Sequence, residues 1–263
     1  MATYRLIALD VDGTLLNDRD ELSRATIEAV QKAVEAGAHI VLCTGRGPAG
    51  AIPVRDRLGL KGPVITHNGA ATVDSGSRSV MTEYAFDIGE VMSVIRYCRT
   101  RSLHCDVSSV WDLFADRAGE EEREMYRIYG VEPVMVPDLA DVNRQLVKMT
   151  IFGSSAEMDR VERDWPTLHC RLSIIRSGER FIDIMHPQAS KGNALCKLAA
   201  DMGVDRSQVM AVGNYYNDLG MLEFAGLGVA MANSPEDFKR KADAVTLDNN
   251  EDGVAHALYR YVL

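Results

Sequence analysis

Two carboxylates one residue apart, Asp10 and Asp12, leave the apolar run Leu6–Leu9 and are followed at once by Gly13 and Thr14 in the stretch LDVDGTLL. Like charges this close repel one another unless a cation or a shared proton joins them. A carboxylate so placed can act as nucleophile, as acid and base, or as metal ligand. Three further clusters fall at corresponding places. VLCTGR ends a β-rich run on Thr44, and Gly45 lets a backbone N–H approach an anion closely. Lys191, in HPQASKGNALCKL, stands at a helix start, where its ammonium and the helix N–H groups favour the same anion. AVGNYYNDLG carries Gly213, Asn214, Asn217 and Asp218 in a turn after an apolar strand, with the look of a metal-binding turn. Its first polar position is an amide, where a carboxylate would attract a cation more strongly. Any one cluster alone reads as a turn, a helix cap or a solvated side chain; their shared position is what gives them weight.

The elements that must position these residues alternate between strand and helix. After the run Leu6–Leu9, SRATIEAVQKAVEAG has helical spacing, with Ser23 as N-cap and Gly37 past its end. HIVLCT predicts a strand, residues 49–58 a helix and PVITHNGA another strand ending at Asn68-Gly69. From Ala71 the texture changes. ATVDSGSRSV predicts a hairpin about Ser75-Gly76, and mixed helices and shorter strands follow to about Met185. The first pattern then returns: a helix over 191–202, the strand QVMAVG, a helix over 219–225, the strand LGVAMA, the helix PEDFKRKA and the strand DAVTL. The expectation is an α/β protein with a doubly wound, mostly parallel, Rossmann-like core sheet built from both chain ends, residues 1–83 and 186–263, and an inserted α+β domain over 84–185. In such sheets ligands bind at the carboxyl ends of the strands.

Composition bounds the partners. With 263 residues, 46% hydrophobic and 25% charged, the chain suits an ordinary globular protein of one large or two modest cores. A net charge of −9 argues against nucleic acid and anionic membranes as partners, so an anionic small substrate needs local positive charge. Five cysteines, odd in number and without a Cys-x-x-Cys pair, predict reduced, buried thiols and a cytoplasmic location. No signal peptide or transmembrane stretch is legible.

Jointly, DVDGTLL, TGR, the Lys191 helix and GNYYND resemble the haloacid dehalogenase superfamily of phosphotransferases, in particular its Cof-type sugar-phosphate phosphatases. The resemblance covers nearly the whole chain and makes the insert that family's cap. It implies a Mg²⁺-dependent phosphomonoesterase working through an aspartyl-phosphate on Asp10, with small phosphorylated metabolites as substrates. Asp12 would protonate the leaving alkoxide and then activate water. Thr44, Gly45, Lys191 and Asn217 would bind the non-bridging oxygens, with Arg46 and the cap setting specificity. Mg²⁺ would take a carboxylate oxygen of Asp10, the backbone carbonyl of Asp12, the Asn214 side chain and waters, with Asp218 reached through a bound water.

The sequence departs from the family pattern at Asn214, where the family has Asp. Two other readings share these residues: a sugar-phosphate mutase, and a catalytically weak sugar-phosphate binding protein. In the insert, His104, Asp106, Asp112 and Arg180 are polar candidates for substrate contact, and Asn68 follows a strand on the same sheet edge.

Overall fold

The protein is described here by a computed structural model covering residues 4–74 and 76–263. Fourteen strands and nine α-helices lie among these residues. In chain order the strands are β1 (Leu6–Leu9), β2 (His39–Cys43), β3 (Pro63–Thr66), β4 (Ala71–Asp74), β5 (Ser79–Glu83), β6 (His104–Ser108), β7 (Leu113–Ala115), β8 (Val134–Met135), β9 (Lys148–Phe152), β10 (Ser173–Gly178), β11 (Phe181–Met185), β12 (Val209–Gly213), β13 (Leu227–Ala230) and β14 (Ala244–Val245). The helices are α1 (Arg24–Glu35), α2 (Pro48–Arg57), α3 (Met92–Thr100), α4 (Glu120–Ile128), α5 (Ser155–Asp164), α6 (Lys191–Asp201), α7 (Leu219–Phe224), α8 (Glu236–Lys239) and α9 (Gly253–Tyr261).

One sheet of eight strands runs β14-β13-β12-β1-β2-β3-β4-β5, parallel from β14 to β3 and antiparallel from there to β5. The α/β architecture is thus as the apolar runs predict. β1 and β12 are buried at every position because helices cover both faces of a parallel sheet. The chain winds from β1 outward to β3 on one side and from β12 outward to β14 on the other. Its switch point therefore lies between β1 and β12, which places Asp10 beside Asn214.

Helix ends also follow local chemistry. The Ser23 hydroxyl accepts the Thr26 N–H at 3.0 Å to open α1, whose Ala29, Val30 and Ala33 are buried. Pro48 opens α2, where its missing N–H costs nothing. The predicted hairpin is formed by β4 and β5; its Ser75 lies outside the described residues. The hairpin extends the eight-stranded sheet, so the change of texture at Ala71 marks the sheet's antiparallel edge before it marks the insert.

The second sheet, β10-β11-β9-β6-β7-β8, is drawn entirely from residues 104–185. Its central strands alternate strictly. Cys105, Val107, Met149, Ile151, Ile182 and Ile184 point to one face and pack with Val94, Ile95 and Cys98 of α3 and Met158 and Val161 of α5. Each large apolar side chain buried there contributes roughly 1.5–3 kcal/mol. The opposite face carries Asp106, Ser108, Lys148, Thr150 and Asp183, with Asp106 paired to Thr150 and Thr150 to Asp183.

No described helix is long and apolar enough to cross a membrane. Cys43, Cys98 and Cys105 are buried as expected, whereas Cys170 is half-buried and Cys196 exposed: Cys196 lies on α6 one residue beyond Leu195, and only the Leu195 side of that turn faces the sheet.

Candidate active site

Residues at the carboxyl ends of β12, β1, β2 and β3, four adjacent strands, meet at one sheet edge. Asp10 continues β1 by donating its N–H to Val212 O at 3.0 Å. The chain then turns sharply, and the N–H groups of Thr14, Leu15 and Leu16 converge on Val11 O. Gly13 sits at φ +71°, and a Cβ there would lie 2.3 Å from Asn214 Nδ2. A side chain at residue 13 is thus excluded by conformation and by space, and the Asp-x-Asp turn and the Asn214 side chain pack directly together.

Lys191, the first residue of α6 behind the Ser190 cap, is completely buried. Its Nζ donates to Asp10 Oδ1 and Asp218 Oδ1, both at 2.6 Å. The other oxygen of Asp218 accepts the N–H groups of Asn214 at 2.8 Å and Tyr215 at 3.1 Å. Gly213 makes room for this carboxylate, since a Cβ there would stand 2.6 Å from it. Burial, with Asp218 next, pushes the Asp10 carboxyl up to about 7 against the pull of Lys191. Burial opposes the charge of Lys191, but Asp10 and Asp218 outweigh it and hold the ammonium protonated. Two carboxylates facing one ammonium leave a site with spare affinity for a cation.

Asp218, expected at the metal through water, therefore has both oxygens engaged by Lys191 and the backbone of its own turn. Arg46, expected at the substrate, forks onto Asp12 instead: Nε lies 3.1 and 3.0 Å from its two oxygens and Nη2 2.5 Å from Oδ1. The guanidinium also lies 5.2 Å from the centre of the Tyr129 ring. Thr44 is fully buried, and its Oγ1 accepts the Arg46 N–H at 3.1 Å. That contact shapes the loop after β2.

Asn217 donates through Nδ2 to Asn68 Oδ1 at 3.0 Å, while its own Oδ1 is buried without a partner among the described residues. Asn68 in turn donates to Asp183 Oδ2 at 2.6 Å, and Thr150 Oγ1 donates to Asp183 Oδ1 at 2.9 Å. Lys148 Nζ donates to Gly45 O at 2.9 Å and lies 3.5 Å from Asp183. The polar face of the second sheet is thus tied to the β2 and β3 loops. His67 and Asn68 hold left-handed conformations, φ +49° and +54°, a strain of order 1–3 kcal/mol each that aims Asn68 at both partners. Burial, with Lys148 next, pushes His67 down to about 3, so its neutral ring donates from Nε2 to Val110 O at 3.1 Å. Sequence reasoning missed Lys148, Thr150, Asp183 and His67. The signal for the first three was a polar residue set between apolar ones, Lys148 and Thr150 on either side of Met149 and Asp183 between Ile182 and Ile184.

Between the two sheets lies a cavity of about 460 Å³, within the range of small-molecule sites. Its floor includes Asp10, Asp12, Asn214 and Asn217; its roof includes Asp106, Thr150 and Asp183. Of the insert's polar candidates, Asp106, Asp112 and Arg180 line it. His104 stands behind Asp106, its Nε2 2.7 Å from Tyr126 OH. Arg180 is spent on Glu121 and Gly153 O.

Among the described residues no three His, Cys, Asp or Glu side chains form a metal cluster. The oxygen-bearing side chains at the floor are instead those of Asp10, Asp12 and Asn214. Such oxygen donors, beside two carboxylates that share one ammonium, fit a hard cation that retains water.

Residues 7–258 match the haloacid dehalogenase-like hydrolase family. The chain is 30% identical to the phosphatase YwpJ of Bacillus subtilis over 97% of this chain and 98% of that one. A haloacid dehalogenase-like hydrolase structure from Bacteroides thetaiotaomicron superposes with a TM-score of 0.85 at 31% identity, covering 98% and 99% of the two chains. A subclass IIB sugar phosphatase of the same superfamily superposes at 0.84 with 26% identity, covering 98% of each. With Asp10, Thr44, Lys191 and Asp218 gathered at one sheet edge, the chain belongs to the haloacid dehalogenase-like hydrolases and is a phosphoric monoester hydrolase of that family.

Proposed function

We propose that the protein is a Mg²⁺-dependent phosphatase of small phosphorylated metabolites, sugar phosphates foremost, and that it works through an aspartyl-phosphate on Asp10. The observation that carries this reading is the buried trio of Asp10, Lys191 and Asp218 beneath a cavity roofed by hydroxyl and carboxylate groups. Lys191 holds Oδ1 of Asp10, leaving Oδ2 to attack phosphorus. Asp218 holds Lys191, so the ammonium stays charged and offsets repulsion between the carboxylate and the incoming phosphate. Asp12, oriented by Arg46, gives its proton to the leaving alkoxide and then takes one from the water that cleaves the acyl phosphate. Thr44, the Gly45 N–H and Asn217 complete the phosphate clamp. Asp10, the Asp12 carbonyl and Asn214 would hold Mg²⁺, which supplies charge neutralisation at the phosphoryl oxygens. The segment 84–185, tied to the core through Asp183 and Lys148, serves as the cap that excludes water and selects the leaving group. Free thiols at Cys43, Cys98 and Cys105 support a cytoplasmic setting.

The deciding assay is release of inorganic phosphate from a panel of sugar phosphates with Mg²⁺ and without any bisphosphate activator. Turnover that appears only with the activator would make the protein a mutase, and binding without turnover would make it a sensor. Within this mechanism Asp12→Asn should slow hydrolysis of alkyl phosphates by about 10²- to 10⁴-fold, the usual contribution of a general acid and base. An unchanged rate with a poor leaving group would remove Asp12 from that role.

Asn214→Asp tests the metal. A unit charge pair 4 Å apart near a protein surface interacts by roughly 4 kcal/mol at an effective dielectric of about 20. Desolvation and repulsion from Asp10, Asp12 and Asp218 cancel much of the gain. The expected outcome is a lower Mg²⁺ concentration for half-saturation, both in calorimetric binding and in activity. Identical metal dependence in the two proteins would show that residue 214 is not a ligand.

A further inference from the structure

The roof of the cavity holds two carboxylates in one row of the second sheet, and they are in opposite states. Asp183 is fully engaged: Asn68 donates to one oxygen, Thr150 to the other, and Lys148 stands 3.5 Å away. Asp106, two strands across in the same row, is 2% exposed and lines the cavity. Its Oδ2 accepts from Tyr126 OH at 3.1 Å, but its Oδ1 is buried with no hydrogen-bond partner among the described residues. Among the described residues no Lys or Arg pairs with it, since Lys148 serves Asp183 and Gly45 and Arg180 serves Glu121; His104 Nε2 stands 3.8 Å from its other oxygen, Oδ2. Leaving such an oxygen unpaired is costly, and more so for a charged group than for a neutral one.

The groups behind Asp106 fix what it can accept. The Tyr126 hydroxyl has one proton, and it is given to Asp106; His104 Nε2, 2.7 Å from the same hydroxyl, therefore donates to it. This chain, His104 to Tyr126 to Asp106, keeps the carboxylate fixed as an acceptor, with Oδ1 the corner left over. The cavity that Asp106 lines also carries apolar side chains, Val110, Trp111, Met125 and Phe181 among them. A group entering at this corner of the roof meets the unsatisfied Oδ1 of Asp106 with apolar side chains in the same cavity.

We propose that Asp106 is a specificity-determining residue that accepts a hydrogen bond from a hydroxyl or ammonium group on the leaving group, so that esters of polyols and amino sugars are selected over apolar esters. This rests on the phosphatase reading above and names the class of substrate that the cavity takes.

The test uses the full-length enzyme with Mg²⁺ and three esters of similar length: glucitol 6-phosphate, glucosamine 6-phosphate and hexyl phosphate. Loss of one charge-assisted hydrogen bond corresponds to about 10- to 100-fold in kcat/KM. The wild-type ratios of the two donor-bearing esters to hexyl phosphate should therefore fall by that factor in Asp106→Ala. Asp106→Asn separates the two donors. Its single amide oxygen is claimed by Tyr126, so the free corner becomes an N–H that a hydroxyl can still accept but an ammonium cannot. It should spare glucitol 6-phosphate and reject glucosamine 6-phosphate if the donor is an ammonium, and weaken both only modestly if it is a hydroxyl. It also serves where the alanine variant fails to fold. Ratios unchanged in both variants would mean that solvent alone satisfies Asp106, and would overturn the proposal. Calorimetric binding of the same esters to Asp10→Asn protein reads the preference without turnover, so failure of hydrolysis and failure of this subsite are distinguished.

Discussion

Asp10→Asn is expected to reduce phosphate release to below detection while the protein folds as before. The amide cannot form the acyl phosphate, and no second carboxylate can replace it: Asp12 is held by Arg46 and Asp218 by Lys191 and two backbone N–H groups. Fold should survive because an Asn oxygen can still accept from Lys191, and repulsion between Asp10 and Asp218 disappears. The pH dependence of stability supplies an independent check. In the wild type without Mg²⁺, the folded Asp10 carboxyl is raised from 3.8 to about 7, first by burial and then by Asp218. The folded state then binds more protons than the unfolded one between those values, so this group makes stability fall as pH rises across that window. The Asn variant lacks that contribution. Chemical denaturation at several pH values should show the wild type losing more stability than the variant between about pH 4 and 7. Substantial remaining phosphate release would remove Asp10 as nucleophile; equal slopes would mean that Asp10 is not raised by its surroundings.

The floor of the site is legible in the sequence because a parallel strand buried on both faces leaves an apolar run that stops where the strand reaches the sheet edge. LIAL ends at Asp10, HIVLC at Thr44 and VMAVG at Asn214, and the switch point sets the first and last side by side. Helix starts are legible for an equally local reason, with Ser23 and Ser190 each capping the helix that follows. What escapes is whatever depends on register between distant segments. Asp106, Thr150 and Asp183 form one polar row only after β6, β9 and β11 pair, and nothing in HCDVS, KMTIF or FIDIM alone specifies that pairing. Charge partners escape for the same reason. Arg46 could meet substrate or Asp12, and the choice follows from how the β2 loop folds around Thr44. Asn217 and Asp218 are adjacent, and only the turn itself, which points the Asp218 carboxylate back at two N–H groups, decides which one faces inward.

Lys191→Met should produce the largest loss of stability of any single substitution at the site. The methionine fills the volume but leaves Asp10, 4% exposed, and Asp218, completely buried, without their shared cation. Breaking a buried ion pair by removing one partner costs about 3–5 kcal/mol, a large part of the 5–15 kcal/mol that stabilises a typical folded protein. The loss must depend on pH. With the ammonium gone, both carboxylates prefer protonation in the fold, so the folded state binds extra protons and the deficit against wild type shrinks as pH falls from 8 toward 5. Mg²⁺ should also recover part of the stability, since a cation beside Asp10 replaces some of the missing charge. Activity should fall by at least the 10²- to 10³-fold typical of a lost electrostatic stabiliser, even where Mg²⁺ has restored the fold. Adding Asp218→Asn should return stability to the Met variant while destabilising the wild type, a coupling that a double-mutant cycle measures directly. If Lys191→Met were as stable as wild type at pH 8, or if its deficit did not change with pH, the two carboxylates would not be sharing one ammonium and the phosphate clamp would need another organising charge.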